Sequence, residues 1–457
     1  MIGGISCHAM KLMHCPWDRL LAALKSGSWL IRRRVVAYSG ILLGCEVLAF
    51  LFLVAGTHGW VVPLSHPVTT DYVSFYAAGH LADAGTPAAA YLRAAHFAAE
   101  QQATARGIEY NFFFYPPVFL LLCAILARLP YLVSFVAFET GTLLLCLMVI
   151  RRILTHGGGL NQKGEAINGV LLLPLLAYPA IFINFGVGQN GFLTAALFGG
   201  ATLLIDRRPW LAGILFGALC YKPHFGLLIP IALIAGGRWR GFTAATATVA
   251  ALVTLSVALF GWQSWRDFFV AIAASHTTYE STKVDVAAYV TIFGALRVLG
   301  ASPPVAYLVQ AVFSLAAATL VAWGWRRNLS LPVRAAMLAI GTLVAVPLAL
   351  FYDLMLAAIA MAWLVQAGWR RGFLPWEKTL LVANFIAPLL VRGFGRSFHI
   401  PIGPFITLSL LTLCIARAHS EIRPPETGGS LAQAIPPKAM SNHNMSVTAH
   451  VNPITSL

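Results

Sequence analysis

The 457-residue chain is 59% hydrophobic and only 10% charged, with a mean hydropathy of +0.77. No soluble domain hides that much apolar surface, so the composition points to a polytopic, all-α membrane protein. The formal net charge is +15. Its Lys and Arg lie mostly in short connections between apolar runs, a pattern of membrane topology and contact with anionic headgroups, not of nucleic-acid binding.

At the N-terminus, "WDRLLAALKSGSWLIRRR" reads as an amphipathic helix along the inner membrane face, within a cytoplasmic segment 1–34. The first apolar run starts only after residue 34 and is about twenty residues long. It is too long and too far along for a secretory signal. "IRRR" before it sends span 1 (35–55) from inside to outside by the positive-inside rule. A long outer segment, 56–113, is expected next. "VFLLLCAILARL" (118–129) is too short to cross and reads as a re-entrant piece. Run 131–150 returns inward to "RRIL". Runs 167–185 and 190–205 pair about an outer turn, "GVGQNG", and end inside at "IDRRP". "WLAGILFGALCYKPHFGLLIPIALIAGG" (210–237) should break at "YKP", at the outer face. Run 241–260 leads out to a polar stretch, 261–285, and a short amphipathic segment, "YVTIFGALRVLG". Spans near 305–324, 333–349, 352–369, 377–391 and 400–417 follow. The expected total is about twelve crossings within 35–417, with both termini inside and a disordered Pro/Ser/Asn-rich tail, 418–457. No repeat period stands out. The seven cysteines form no CxxC and have no His at metal-ligand spacing, so neither a disulfide framework nor a zinc site is expected.

Under this topology the polar residues that do not serve as topology signals land on the outer face. They are Asp71, Tyr110, Asn111, Tyr115, Gln189, Asn190, Lys222, His224, His276, Glu280, Lys283, Asp285, Asp353, Arg392, Arg396 and His399. Ionisable groups near membrane depth are costly, so their convergence points to a site: an anion held on Lys and Arg while one carboxylate does proton chemistry. Asp71 is the only carboxylate between Glu46 and Asp83.

Four segments carry a resemblance, in order and spacing: "DYVSFYAAGHLADAGTPAAAY", "YNFFFYPPVFLLLCAILARLPY", "NFGVGQNGFLTAALFGGATLL" and "LAGILFGALCYKPHFGLLIPIALI". Together they resemble the bacterial polyprenol-phosphate-dependent glycosyltransferases of the membrane C-type (GT-C) fold, closest to family 87, the α-mannosyltransferase-like proteins. The resemblance covers roughly 68–400; downstream, "AAYVTIFGALR" stands where an NxS element is expected. It implies a multi-pass protein of the bacterial inner membrane with its active site facing the periplasm. The implied donor is a polyprenyl-phosphate sugar, mannose or another hexose, and the acceptor a glycolipid or glycan. Asp71 takes the position of the first-loop general base. Lys222, beside Pro223 at a helix break, suits a leaving lipid phosphate. His224, Gln189, Asn190, Tyr115 and His276 complete the expected donor site. No second nucleophilic carboxylate neighbours Asp71 in sequence, which favours inversion, with Asp353 the next candidate base. No acidic cluster suggests a metal, and no cofactor is implied.

Each residue has a plainer reading. Asp71 in "TTDYV" is a good helix N-cap. Lys222 can snorkel, Gln189 and Asn190 can bond between helices, and Tyr115 suits an interfacial belt. His276 fits an ordinary loop. Arg392 and Arg396 read better as headgroup contacts than as donor ligands. A secondary transporter would share the span count but show repeated halves and midplane polar groups. A lipid-linked-glycan flippase or scaffold subunit would tolerate loss of Asp71.

Overall fold

The computed structural model describes residues 16–55, 62–63, 67–68, 70–158, 172–280, 285–327 and 329–422, most of them helical. Two two-residue strands, Val62–Pro63 and Pro67–Val68, pair antiparallel. The described part of the expected tail continues helix Gly403–Ile422; residues 423–457 lie outside the described residues.

Six helical segments are long and apolar enough to cross a bilayer: Arg32–Phe52, Tyr131–Leu154, Trp239–Ser275, Pro303–Arg326, Phe351–Arg371 and Gly403–Ile422. A seventh forms if Glu377–Ile386 and Pro388–Phe398, bent by 65°, count as one. The other expected spans are shorter or broken. Gly191–Leu204 has 14 residues and Leu331–Ala345 has 15; at 1.5 Å per residue both fall well short of a hydrocarbon core of about 30 Å. The expected span 167–185 is interrupted where described. Tyr178 is extended ahead of Pro179, which cannot donate to a preceding turn, so helices Leu172–Leu176 and Pro179–Val187 stay separate. "VFLLLCAILARL" forms only the ten-residue helix Pro117–Leu126.

The polar stretch expected after residue 260 is instead helical. Helix Trp239–Glu280 turns at Gly261 (φ 73°, ψ 159°), a backbone region open essentially to glycine, and continues beyond it. The segment before Pro117, expected to lie outside, folds where described into helix Tyr72–Asp83, a 3₁₀ turn Pro87–Tyr91 and helix Arg93–Ala103.

Helix Leu331–Ala345 sits at the centre, with every side chain from Pro332 to Ala345 buried. Its neighbours include Pro303–Arg326, Met355–Arg371 and Gly403–Ile422. The periphery differs: Phe52, on the first spanning helix, is 80% exposed, as a lipid-facing side chain should be. The central helix ends before Pro347, and Gln310 and Ser314 satisfy its last carbonyls, at Val344 (2.8 Å) and Ala345 (2.6 Å). Thr291 Oγ1 donates to Pro347 O (2.7 Å), and Val290 N donates to Ala349 O (3.0 Å). These bonds fix the segment 346–350, which forms one wall of the pocket below.

Candidate active site

A polar cavity of about 910 Å³ opens between helices Tyr72–Asp83 and Pro388–Phe398, the extended segment 109–115 and the turns at 186–189, 221–224 and 347–353. Of the expected site residues, it gathers Asp71, Tyr115, Gln189, Lys222 and His224, together with Tyr110, Asn111, Asp285, Asp353, Arg392 and Arg396.

Asp71 stands at the N-cap position of helix Tyr72–Asp83 but makes no capping bond. Its carboxylate instead accepts from Gln189 Nε2 (2.9 Å), and Gln189 Oε1 accepts from the Tyr115 hydroxyl (3.2 Å). The turn "GVGQNG" makes this possible. Helix Pro179–Val187 ends on left-handed Gly188 (φ 74°), where a Cβ would come within 2.9 Å of Thr70 and 3.0 Å of Tyr72. The close approach lets Asp71 N donate to Val187 O (2.7 Å). Buried Asn184 braces the turn, donating to Gln189 O (2.8 Å) and accepting from Gly191 N (2.9 Å). Burial raises the pKa of Asp71 above the usual carboxylate range, while the Gln189 hydrogen bond and the positive charge of Arg392 draw it back.

Lys222 sits at the expected break, between 3₁₀ turns Leu219–Tyr221 and Pro223–Gly226, but it is not a lone cation. Its ammonium, 4% exposed, pairs with Asp353 Oδ1 at 2.9 Å and lies over the rings of Phe225 and Tyr352. Asp353 also accepts from Leu350 N (3.0 Å). Two low-exposure opposite charges are thus mutually satisfied.

Arg392 and Arg396, read from sequence as headgroup contacts, line the pocket. Four residues apart, they project from one face of helix Pro388–Phe398. Both guanidiniums converge on Asp285 Oδ2, at 2.7 and 2.8 Å. Two cations against one carboxylate leave an excess positive charge on this wall.

One expected site residue is not brought in, and the side chain of another lies outside the described residues. Asn190 lies outside the pocket lining: it opens helix Gly191–Leu204, its carbonyl accepts from Thr194, and its buried amide has no hydrogen-bond partner among the described residues. His276 falls within helix Trp239–Glu280, not in a loop, and its side chain lies outside the described residues, as do those of Glu280 and Lys283. His399 ends helix Pro388–Phe398 in the left-handed region and does not line the cavity.

Sequence reading also passed over His96 and Glu100, an i, i+4 pair on helix Arg93–Ala103 with both side chains at 0% exposure. His96 Nε2 donates to Ser74 O (3.0 Å), and Glu100 Oε2 accepts from Asn111 N (3.2 Å). The pair therefore ties the Asp71 helix to the aromatic segment of the pocket. Burial lowers the His96 pKa to about 4 and raises that of Glu100 to about 8, so both are neutral near pH 7.

These features define a helical, multi-pass membrane protein with an ionisable pocket between its helices. The sequence model of glycosyltransferase family 87 matches residues 113–350, more than half of the chain, and the chain belongs to that family: it is a membrane glycosyltransferase. Tyr115, Gln189, Lys222 and His224 fall inside the match; Asp71, Asp353, Arg392 and Arg396 fall outside it. Comparison with curated proteins and with solved structures gave no match.

Proposed function

We propose that the chain transfers a hexose, mannose foremost, from a polyprenyl-phosphate donor to a hydroxyl of a lipid or glycan acceptor. Transfer takes place at the periplasmic face of a bacterial inner membrane. One observation carries the assignment of the base. Among the described residues, four carboxylates line the pocket: Asp71, Glu109, Asp285 and Asp353. Asp353 is matched by Lys222 and Asp285 by two arginines, and Glu109 is exposed. Asp71 is half-buried and accepts from the neutral amide of Gln189, with no ion pair among the described residues, so no cation in direct contact quenches its basicity.

In the proposed reaction an Asp71 oxygen takes the acceptor hydroxyl proton as the acceptor oxygen attacks the anomeric carbon. The bond from that carbon to the phosphate oxygen breaks, and its electron pair leaves on the phosphate. A single displacement inverts the centre and needs one base, worth roughly 10²–10⁴ in rate. The developing phosphate charge is met by Arg392 and Arg396, whose planar guanidiniums suit phosphate oxygens. Lys222, paired with Asp353, lines the same pocket. Gln189 and Tyr115 hold Asp71 in place.

The test is transfer from polyprenyl-phosphate [¹⁴C]mannose by membranes carrying wild type or Asp71→Asn, read as labelled glycolipid or glycan. Label that depends on the chain and on Asp71 supports the reading. Equal label in the two membranes removes Asp71 as the base, and no chain-dependent label from any polyprenyl-phosphate hexose removes the donor.

A further inference from the structure

A second cavity, about 820 Å³, lies among helices Arg32–Ala55, Tyr131–Leu154, Met355–Arg371 and Glu377–Ile386 and shares no lining residue with the polar pocket. One wall is a stripe on a single helix: Met355, Ala358, Met361, Val365 and Trp369. These recur at three- and four-residue steps, the period of one helix face, over about 21 Å at 1.5 Å per residue. Water entering such a lining finds almost no hydrogen-bond partner, while empty space forfeits dispersion contacts, so hydrocarbon is the natural filling.

The far end of the cavity carries the one charge in its lining among the described residues. Lys378 is half-buried there, stands over the Phe373 ring at 5.1 Å, and forms no ion pair among the described residues. The lining also includes Tyr38, Ser39 and Trp369. Nearby, Trp29 Nε1 donates to Thr379 Oγ1 (3.0 Å), and exposed Arg32, Arg33 and Arg34 open the first spanning helix. Aromatic residues with Lys and Arg mark the headgroup level of a bilayer. The cavity mouth therefore lies where a lipid phosphate sits, at the opposite end of helix Met355–Arg371 from Asp353.

We propose that this cavity holds one phospholipid, with its phosphate on the Lys378 ammonium and its acyl chains along the Met355–Trp369 stripe. The proposal does not depend on the donor assigned above. A polyprenyl-phosphate donor in the transfer pocket would place its phosphate beside Arg392, at the other end of the shared helix, so the Lys378 cation selects a lipid headed at the opposite interface.

The test is native mass spectrometry of the full chain in mild detergent, with the retained lipid extracted and identified. Wild type should hold about one phospholipid per chain. Lys378→Glu, which repels phosphate, and Ala362→Phe, which fills the cavity from its wall, should each cut retention by about tenfold; Lys378→Arg should keep it. Absence of phospholipid from wild type overturns the proposal, as does retained polyprenyl phosphate in its place or retention unchanged in both disruptive variants. If those variants fail to accumulate, identification of the wild-type lipid decides alone.

Discussion

The segment Phe351–Arg371 borders two cavities of similar volume, about 910 and 820 Å³, and treats them differently. Its first turn, "FYDL", gives Phe351, Tyr352 and Asp353 to the polar pocket. From Met355 onward the same segment gives methionines, alanines and Trp369 to the apolar cavity. In the polar pocket the less exposed carboxylates have partners: Asp353 with Lys222, Asp285 with two arginines, Asp71 with the amide of Gln189. In the apolar cavity the lining is nearly all hydrocarbon and aromatic, and Lys378 is its one charged residue among those described. Chemistry is possible in the first because its charges are nearly, but not completely, balanced.

That balance can be broken in order of expected effect. Lys222→Ala should be the most damaging. It leaves Asp353 as an uncompensated buried charge, a loss of about 3–5 kcal/mol. Thermal unfolding in detergent would show a large fall in Tm, and Lys222→Met with Asp353→Leu should recover much of it. A Lys222→Ala protein of wild-type Tm would mean that the pair is not structural.

Asp71→Asn keeps the size of the side chain and a hydrogen-bond acceptor but removes basicity. Transfer should drop by a factor on the order of 10² or more, with Tm and donor binding close to wild type. Loss of folded protein instead would favour a structural role for the carboxylate.

Arg392→Ala and Arg396→Ala come next. Both side chains are about half exposed, so each should raise the donor KM by about tenfold, with a smaller change in kcat. A change confined to kcat would place the arginines away from the ground-state phosphate.

The smallest effect concerns pH. The folded-state pKa of Glu100, about 8, lies above its ordinary value near 4.5, so its share of stability is present below that value and is lost as pH rises through about 8. Glu100→Gln keeps an acceptor for Asn111 N and cannot ionise. The Tm difference between this variant and wild type should therefore grow in the variant's favour from about pH 5 to about pH 9. A constant difference would mean that Glu100 is ionised throughout. His96 has the opposite sign: its pKa is lowered to about 4, and its contribution fades as pH falls from about 6.5.

Local sequence made several of these features legible. Composition alone forces the membrane class, because no aqueous fold covers that apolar surface. Pro223 announces the break at Lys222, since proline cannot continue a helix. Asp71, Gln189 and Lys222 stand out because polar side chains near a bilayer carry a cost that must serve something. The partners of those groups were not legible. Asp353 lies 131 residues beyond Lys222 and Asp285 lies 107 before Arg392, and no local pattern encodes such pairings. "TTDYV" reads as a cap in one dimension; only the Gly188 turn, packed against Thr70 and Tyr72, diverts the carboxylate to Gln189. Nothing local in "RAAHFAAEQQA" shows that the aromatic segment covers His96 and Glu100. The sequence by itself determined which residues are expensive to hold in a membrane. Tertiary structure decided which charges cancel and which remains available, because electrostatic pairing depends on distances in space that chain spacing does not set.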